Sequence, residues 1–358
     1  MANEMRPKAK IDRACALVSQ LAYSLGPEAR MPTFAALCAQ AGVSKATMDV
    51  ALGQLEAQGI LSRRHGSGIF VSPGLRRGIA LVCDPQFSID PRLQGFWELI
   101  VREARLRVEG SHYDLAFHFS KLVTADEEPA LHPGLIEDIH AGRVQGILTV
   151  GLPLPTLNWI AEQGVAAVAF AGEGPVSVNL DSADVVEMGV ESLERRGCRR
   201  LSLWCEPERD DLNVAPDMLS AFRRSLKKHG LEFNEKWLRP RGVAAYSSSF
   251  ELAIEWVGEV FGALRDQGPD GLLVTNDNLT RDVMLALQRY NVLPNRDLVV
   301  ASHANSGSTV LRGYEGDLTL IEYDSGEIVQ AMFDRLATLL RGEPLDAPHV
   351  RIRPKARG

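Results

Sequence analysis

Beyond residue 78, the sequence alternates between short apolar runs and longer segments with the spacing of amphipathic helices. The apolar runs occupy residues 79–83, 113–117, 146–150, 166–170, 201–205, 271–274 and 298–301. Strands that alternate with helices are typical of parallel sheets whose two faces are both covered. Residues 79–358 are too many for a single sheet of this kind. We therefore predict an α/β body of two similar lobes with a cleft between them.

The first 58 residues have a different pattern, which predicts three helices. Apolar residues recur at helical spacing over residues 11–23. Thr33 is expected to cap a second helix, Gly42 to form a tight turn, and Ser44 to cap a third helix. The third helix has an apolar stripe at i, i+3, i+4 and i+7, which consists of Met48, Ala51, Leu52 and Leu55.

The run GILSRRHGSGIFVS, residues 59–72, predicts two short strands that turn at Gly66-Ser67-Gly68. Three helices and a hairpin make a winged helix-turn-helix domain, in which the hairpin is the wing. A glycine loop for a small nucleotide would lead into a helix and carry a lysine, and this run has neither feature. The glycines instead allow the wing tip to approach DNA, while Arg63, Arg64 and His65 supply positive charge and reach into the minor groove.

Residues 31–72, MPTFAALCAQAGVSKATMDVALGQLEAQGILSRRHGSGIFVS, resemble the GntR family of regulators. In that family Gly-Val-Ser precedes the recognition helix, and Arg-x-Gly-x-Gly-x-Phe-Val forms the wing. The resemblance implies that residues 1–72 bind double-stranded DNA. The DNA contacts that we predict are Thr33, Ser44, Lys45, Thr47, Asp49, Arg63, Arg64, His65 and Gly66.

Two positions depart from the family, which usually has arginines where this chain has Ala35 and Asp49. A carboxylate at residue 49 weakens the attraction to phosphates, but it can accept a hydrogen bond from cytosine N4 and so select a base. Alternatively, Asp49 is only solvated or is paired with Lys45. We expect the operator to differ from the one that most family members bind.

The charge distribution agrees with a DNA-binding head. Residues 1–77 contain ten Lys or Arg and five Asp or Glu, although the net charge of the whole chain is −7. A basic head on an acidic body is the asymmetry expected when only one domain meets phosphates.

The body resembles the effector domain of the LacI family, which has the fold of periplasmic sugar-binding proteins. The resemblance includes residues 76–104 as the first strand and helix, 178–204 as the crossing into the second lobe, and 269–303 with its Asn-Asp pair. It implies a ligand-binding and dimerisation domain at 79–358. Residues 73–78 are predicted to form a linker because of their proline, glycine and arginine content. We place lobe 1 at about 79–178 plus about 306–330, and lobe 2 at about 179–305. Residues 331–358 are expected to cross between the lobes.

Ligands of open parallel sheets bind beyond the carboxyl ends of the strands. The candidate effector contacts follow from this rule and from the family's Asn-Asp pair. They also include an aromatic ring that could pack against the face of a sugar. These are Asp84, Gln86, Trp97, Glu173, Glu206, Asn276, Asp277, His303 and Asn305. Alternatively, Asp277 only caps a helix, Trp97 belongs to the core, and His303 is solvated or structurally bonded.

Three further departures concern the sugar site. Met218 stands where the family usually has an arginine that binds ligand hydroxyls, Ala221 replaces a glycine, and Ala304 replaces an aspartate. The departures favour an unusual ligand or a site that no longer binds one.

We predict a cytoplasmic, homodimeric transcription regulator, expected to be a repressor, that binds a near-palindromic operator. A small effector, a sugar or a derivative, is expected in the cleft, with no cofactor, metal or membrane contact. One alternative is a vestigial cleft that acts only in dimer assembly. Another is an enzyme, for which the sequence lacks Gly-x-Ser-x-Gly, His-Glu-x-x-His and a Rossmann glycine triplet.

The five cysteines have no Cys-x-x-Cys spacing and are expected to be buried hydrophobic residues.

Overall fold

The computed structural model describes residues 7–64, 66–89, 91–121, 129–205, 216–239, 249–262 and 268–357. The N-terminal head consists of three helices and a two-stranded hairpin: α1 (Pro7–Leu25), α2 (Phe34–Ala41), α3 (Lys45–Ala57), β1 (Leu61–Arg64) and β2 (Gly68–Val71). The strands β1 and β2 are antiparallel. The winged helix-turn-helix arrangement predicted from the sequence is confirmed.

Local sequence signals define the ends of the head helices. Thr33 caps α2 by accepting a hydrogen bond from the Ala36 amide, and Gly42 follows the helix with a left-handed φ of 63°. Ser44 caps α3 by accepting from the Thr47 amide. The predicted apolar stripe of α3 is buried in the head core, which α1 and the wing complete.

The body alternates strands and helices. Its strands are β3 (Arg77–Cys83), β4 (Tyr113–Phe119), β5 (Gly146–Val150), β6 (Ala166–Phe170), β7 (Ser177–Leu180), β8 (Leu201–Trp204), β9 (Gly271–Val274), β10 (Val299–Asn305), β11 (Leu318–Tyr323), β12 (His349–Ile352) and β13 (Lys355–Arg357). Its α-helices are α4 (Gln86–Ile89), α5 (Pro91–Val108), α6 (Pro133–His140), α7 (Leu154–Glu162), α8 (Ser182–Arg195), α9 (Pro216–Lys228), α10 (Ser249–Val257), α11 (Asp277–Arg289) and α12 (Ser325–Leu340). Glu235–Trp237 forms a 3-10 helix, and Gly258–Gly262 a π-helical turn.

Two sheets organise these strands. The six-stranded sheet has the order β12-β7-β6-β5-β3-β4, and the five-stranded sheet has the order β13-β11-β10-β9-β8. In the second sheet β8 to β11 are parallel, and β13 pairs antiparallel with β11. Every residue of β5, β8 and β9 is buried, as the predicted covering of both faces requires. The α/β fold class is confirmed.

The strand pairing corrects the predicted limits of the lobes. We expected residues 306–330 to return to lobe 1, but Leu318–Tyr323 pairs in parallel with β10 in the five-stranded sheet. An apolar strand that follows β10 completes its ladder there, and the chain rejoins the six-stranded sheet only at His349–Ile352. The predicted linker 73–78 is also too long, because β3 begins at Arg77 and Leu75 is buried in the head core.

By packing, the chain divides into two compact units. The first comprises Met1–Asp84, Arg105–Val176 and Met332–Pro348, and the second comprises Pro85–Ala104, Ser177–Ala331 and His349–Gly358. The head therefore belongs to the first unit. Within that unit, the Arg77 guanidinium donates to the Tyr23 carbonyl, and the Gln145 side chain accepts from the Gly78 amide at 2.6 Å.

The cysteines are free thiols in mostly apolar surroundings. Cys83, Cys198 and Cys205 are buried, and Cys15 and Cys38 are half-buried. Burial raises the pKa of Cys198 to about 11 and that of Cys205 to about 12, so both thiols stay protonated at neutral pH. Their predicted role as small buried hydrophobic residues agrees with this environment.

Candidate functional site

The recognition helix α3 exposes one face of the head. Lys45, Ala46, Asp49 and Val50 are exposed, and they lie opposite the buried apolar stripe. The hydroxyl groups of Ser44 and Thr47 lie 2.9 Å apart at the start of the helix. Thr33 begins α2 in the same way. A helix N-terminus with exposed hydroxyl and amide groups is suited to contact a phosphate oxygen.

The wing follows α3 and turns through residues with positive φ. Gly66 and Gly68 have φ values of 70° and 119°, which favour glycine over any residue with a side chain. The Arg64 guanidinium lies over the Phe70 ring, 4.6 Å from its centroid. Within the described part of the chain, Arg64 makes no ion pair. His65, also predicted to contact DNA, lies outside the described residues.

Arg63 has different surroundings from Arg64. Its Nη1 atom lies 2.8 Å from Oδ1 of Asp49, and its Nε atom lies 3.3 Å from a carboxylate oxygen of Glu56. Asp49 is predicted to contact a base or, alternatively, to be solvated or paired with Lys45, and its ion-pair partner in the structure is Arg63. Arg63 and Asp49 are 14 residues apart, so only the folded hairpin brings them together.

Four of the other predicted effector contacts lie on or beside separate elements. Asp84 follows β3, and its amide donates to the Val150 carbonyl at 3.0 Å. Gln86 begins α4, and Glu173 is exposed beyond β6. Trp97 lies on α5 and is only 8% exposed, which agrees with the core alternative for this ring. Glu206 lies outside the described residues.

At the carboxyl end of the five-stranded sheet, Asn276 rather than Asp277 caps α11. The Asn276 side chain accepts from the Leu279 amide at 3.0 Å, because its extended backbone places it directly before the helix. Asp277 is instead buried, and its carboxylate accepts from the Asn278 amide and from the Asn305 side chain. The helix-cap alternative for Asp277 is therefore wrong.

His303 and Asn305 lie at the end of β10, beside Asp277. Both ring nitrogens of His303 and Oδ1 of Asn305 are buried, and none makes a well-formed hydrogen bond with a described residue. The His303 ring packs edge-on against Tyr323, with the ring centroids 5.4 Å apart. Burial lowers the pKa of His303, although the Asp277 carboxylate and the nearby Thr275 carbonyl oppose the shift. The imidazole is therefore neutral at pH 7.

We call Asn276, Asp277, His303, Asn305 and Tyr323 the edge cluster. Tyr323 was not predicted, because we had assigned its strand to the other lobe. In β11 it pairs with Asn305, and its hydroxyl donates to the Asp181 carbonyl at 2.6 Å. Tyr323 is the last residue of β11, so the rule that ligands bind at the carboxyl ends of parallel strands selects it once the strand order is known.

Met218 and Ala221 lie on α9, where the family has residues for a sugar. The Met218 sulfur lies 3.8 Å from the Cys205 sulfur at the end of β8, and Ala221 is fully buried. The side chain at residue 218 thus makes an apolar contact in place of a charged group.

The described residues contain no group of three or more His, Cys, Asp or Glu side chains that could hold a metal ion. Among the same residues, no helix combines the length and the hydropathy needed to cross a bilayer.

The comparisons with known proteins match the two parts of the chain separately. Residues 15–71 match the model for bacterial regulatory proteins of the gntR family, and residues 190–358 match the model for a periplasmic binding protein-like domain. A comparison of the sequence with curated proteins gave no match.

Solved structures of LacI-type regulators have a similar fold. A regulatory protein of the LacI family from Chloroflexus aggregans is 17% identical, with 78% of this chain and 96% of that chain covered and a TM-score of 0.60. The transcription regulator CcpA of Lactococcus lactis is 16% identical, with 79% and 98% covered and a TM-score of 0.59. A complex of the transcriptional regulator CelR with cellobiose is 18% identical, with 92% and 99% covered and a TM-score of 0.56.

The match over residues 15–71 assigns the head to the DNA-binding domains of bacterial regulatory proteins of the gntR family. The body is periplasmic-binding-protein-like, and it shares its fold with the LacI-type structures above. The predicted fusion of these two domains is confirmed.

Proposed function

We propose that the protein is a homodimeric repressor that binds a near-palindromic operator and is controlled by a small neutral effector. One winged head reads one half-site, so two heads related by a two-fold axis match a palindrome. A dimer bound to the duplex excludes other proteins from that stretch, which favours repression over activation. A bacterial regulator of this kind acts in the cytoplasm, and we propose no catalytic role for it.

The observation that carries the effector proposal is the set of unpartnered polar atoms in the edge cluster. Buried polar atoms without partners are costly in a protein interior, and a ligand that bonds to them removes that cost. A neutral imidazole and an amide oxygen match hydroxyl groups, which both donate and accept hydrogen bonds. The Asp277 carboxylate beside them disfavours an anion. We therefore propose a sugar or a related polyol as the effector.

Thermal unfolding of the full chain in the presence of neutral sugars and polyols tests this proposal. A ligand that binds only the folded protein raises the melting temperature as its concentration rises. We expect at least one compound to do so. Asn305→Ala should abolish the rise, whereas Gln163→Ala, which truncates an exposed amide elsewhere in the body, should retain it.

The same compound should also release the protein from a duplex selected from a random pool. A ligand shifts such an equilibrium only by its different affinities for the two states, typically about 1–3 kcal/mol. If no compound raises the melting temperature, the effector proposal is wrong and a body that serves only dimer assembly is favoured. The apolar contact of Met218 is the observation that agrees with that second function.

A further inference from the structure

We propose that Arg63 is a positioning residue for Asp49, so that the wing determines which base the recognition helix selects. The sequence pattern predicts a contact between Arg63 and DNA, but the neighbours of its guanidinium favour this other role. The inference rests on the proposed function, because it concerns how the head reads a duplex.

Arg63 connects the first strand of the wing to α3 through several polar contacts. Its Nη1 atom donates to Oδ1 of Asp49 at 2.8 Å, and its Nη2 atom donates to the Asp49 carbonyl at 3.2 Å. The backbone amide of Arg63 donates to Glu56 at 3.1 Å, and the Nε atom lies 3.3 Å from the other oxygen of that carboxylate. One residue of β1 therefore contacts two residues of α3 that lie two helical turns apart.

The Arg63 guanidinium holds one edge of Asp49 and leaves the other edge available. The side chain of Asp49 remains 64% exposed although Oδ1 is bonded to Arg63. Among the described residues, no donor bonds to Oδ2. A carboxylate oxygen in this position on a recognition helix can accept from the amino group of a cytosine. Because Arg63 fixes the rotamer before binding, less conformational freedom is lost on binding.

The charge balance separates Arg63 from its neighbour Arg64. Two carboxylates face the Arg63 guanidinium, which is 35% exposed, so its positive charge is already offset within the head. Arg64 lies against an aromatic ring and makes no ion pair with a described residue. Arg64 is therefore suited to neutralise a phosphate, whereas Arg63 is suited to orient Asp49 and to offset its repulsion from the DNA backbone.

Selection from a pool of random duplexes by the full chain tests this inference. The variants are Asp49→Asn, Arg63→Gln, the double variant and Arg63→Lys, with Arg13→Gln on α1 as the matched control. Wild type should prefer one base at the contacted position, and Asp49→Asn should lose that preference by on the order of tenfold. Arg63→Gln should lose the same preference, and adding it to Asp49→Asn should change nothing further. Arg13→Gln should select as wild type does.

Arg63→Lys tests whether the paired hydrogen bonds of the guanidinium are needed or only its positive charge. Lysine preserves a phosphate contact but cannot reproduce the paired bonds of a guanidinium, so we expect it to lose the base preference as well. If Arg63→Gln and Arg63→Lys both keep the wild-type preference, the inference is wrong. It is also wrong if the effects of Arg63→Gln and Asp49→Asn add.

Circular dichroism of each variant checks that the head remains folded, and Arg63→Lys provides the decisive reading if Arg63→Gln unfolds. If wild type itself selects no duplex, the proposed function fails, and the inference fails with it. If wild type selects a duplex and the Arg63 variants select the same one, only the inference fails.

Discussion

At the scale of residues, the edge cluster contains a histidine whose two buried ring nitrogens make no well-formed hydrogen bond with a described residue. His303 packs against Tyr323 and near Asp277, and burial lowers its pKa below the ordinary value. Such a group is tolerated when its environment keeps it neutral or when a ligand supplies the missing bonds. The same property makes the stability of the second unit depend on pH.

The folded state holds His303 neutral, whereas the unfolded chain protonates it below about pH 6.5. The titration of His303 therefore does not affect the free energy of unfolding above that pH. Below it the folded state loses stability by up to about 1.4 kcal/mol per pH unit, until the folded pKa is reached. His303→Phe keeps the ring contact and removes the titration, so its unfolding free energy should fall less steeply from pH 7 to pH 5.

Denaturant unfolding followed by tryptophan fluorescence measures this difference. Trp204, Trp237 and Trp256 lie in the core of the second unit, so they report on the region around His303. His112 and His118 also have lowered pKa values and titrate in both proteins, so the difference between the two curves isolates His303. Parallel curves for wild type and variant would show that His303 is not held neutral.

At the scale of elements, features that depend on neighbouring residues were predicted correctly, whereas pairings between distant segments of the chain were not. The caps at Thr33 and Ser44 and the buried stripe of α3 follow from neighbouring residues, and the structure has them. The assignment of β11 failed because its apolar sequence suits either sheet, and only the ladder with β10 decides between them. The pair of Arg63 and Asp49 was missed for the same reason, since it depends on how the hairpin folds onto the helix.

Residue 78, at the start of β3, is required to be glycine because the backbone of Arg143 lies very close to it. The sequence did not indicate this contact. A Cβ atom there would lie 2.2 Å from the Arg143 carbonyl oxygen, which is a backbone atom that cannot move cheaply. Gly78→Ala should therefore destabilise the first unit by about 1–3 kcal/mol. Gly134→Ala is the matched control, because a Cβ atom in α6 would meet nothing within 4 Å.

Thermal unfolding of the two glycine variants checks this expectation. Gly134→Ala should be neutral or slightly stabilising, because alanine is the better helix former. Equal melting temperatures for Gly78→Ala and wild type would contradict this expectation, because they would mean that the Arg143 carbonyl moves away from β3 at little cost.

At the scale of the whole molecule, a basic head is joined to an acidic body. The chain as a whole carries −7, so its net charge opposes binding to DNA, and attraction depends on how the positive groups are placed. The candidate DNA contacts lie on α2, α3 and the wing, which all belong to the head. The body, with two sheets and the edge cluster, has the features of a ligand-binding domain.

The central claim is that this head binds the phosphate backbone of a duplex, and the salt dependence of binding tests it most directly. We would measure the affinity of the full chain for a labelled random-sequence duplex between about 50 and 200 mM salt. The logarithm of the association constant should fall linearly with the logarithm of the salt concentration. Arg64→Gln should weaken binding and reduce the slope by about 0.9, the value for one phosphate contact. Lys228→Gln, on α9 of the body, should leave the slope unchanged. Absence of binding at the lowest salt concentration, or a slope that Arg64→Gln does not alter, would contradict the account.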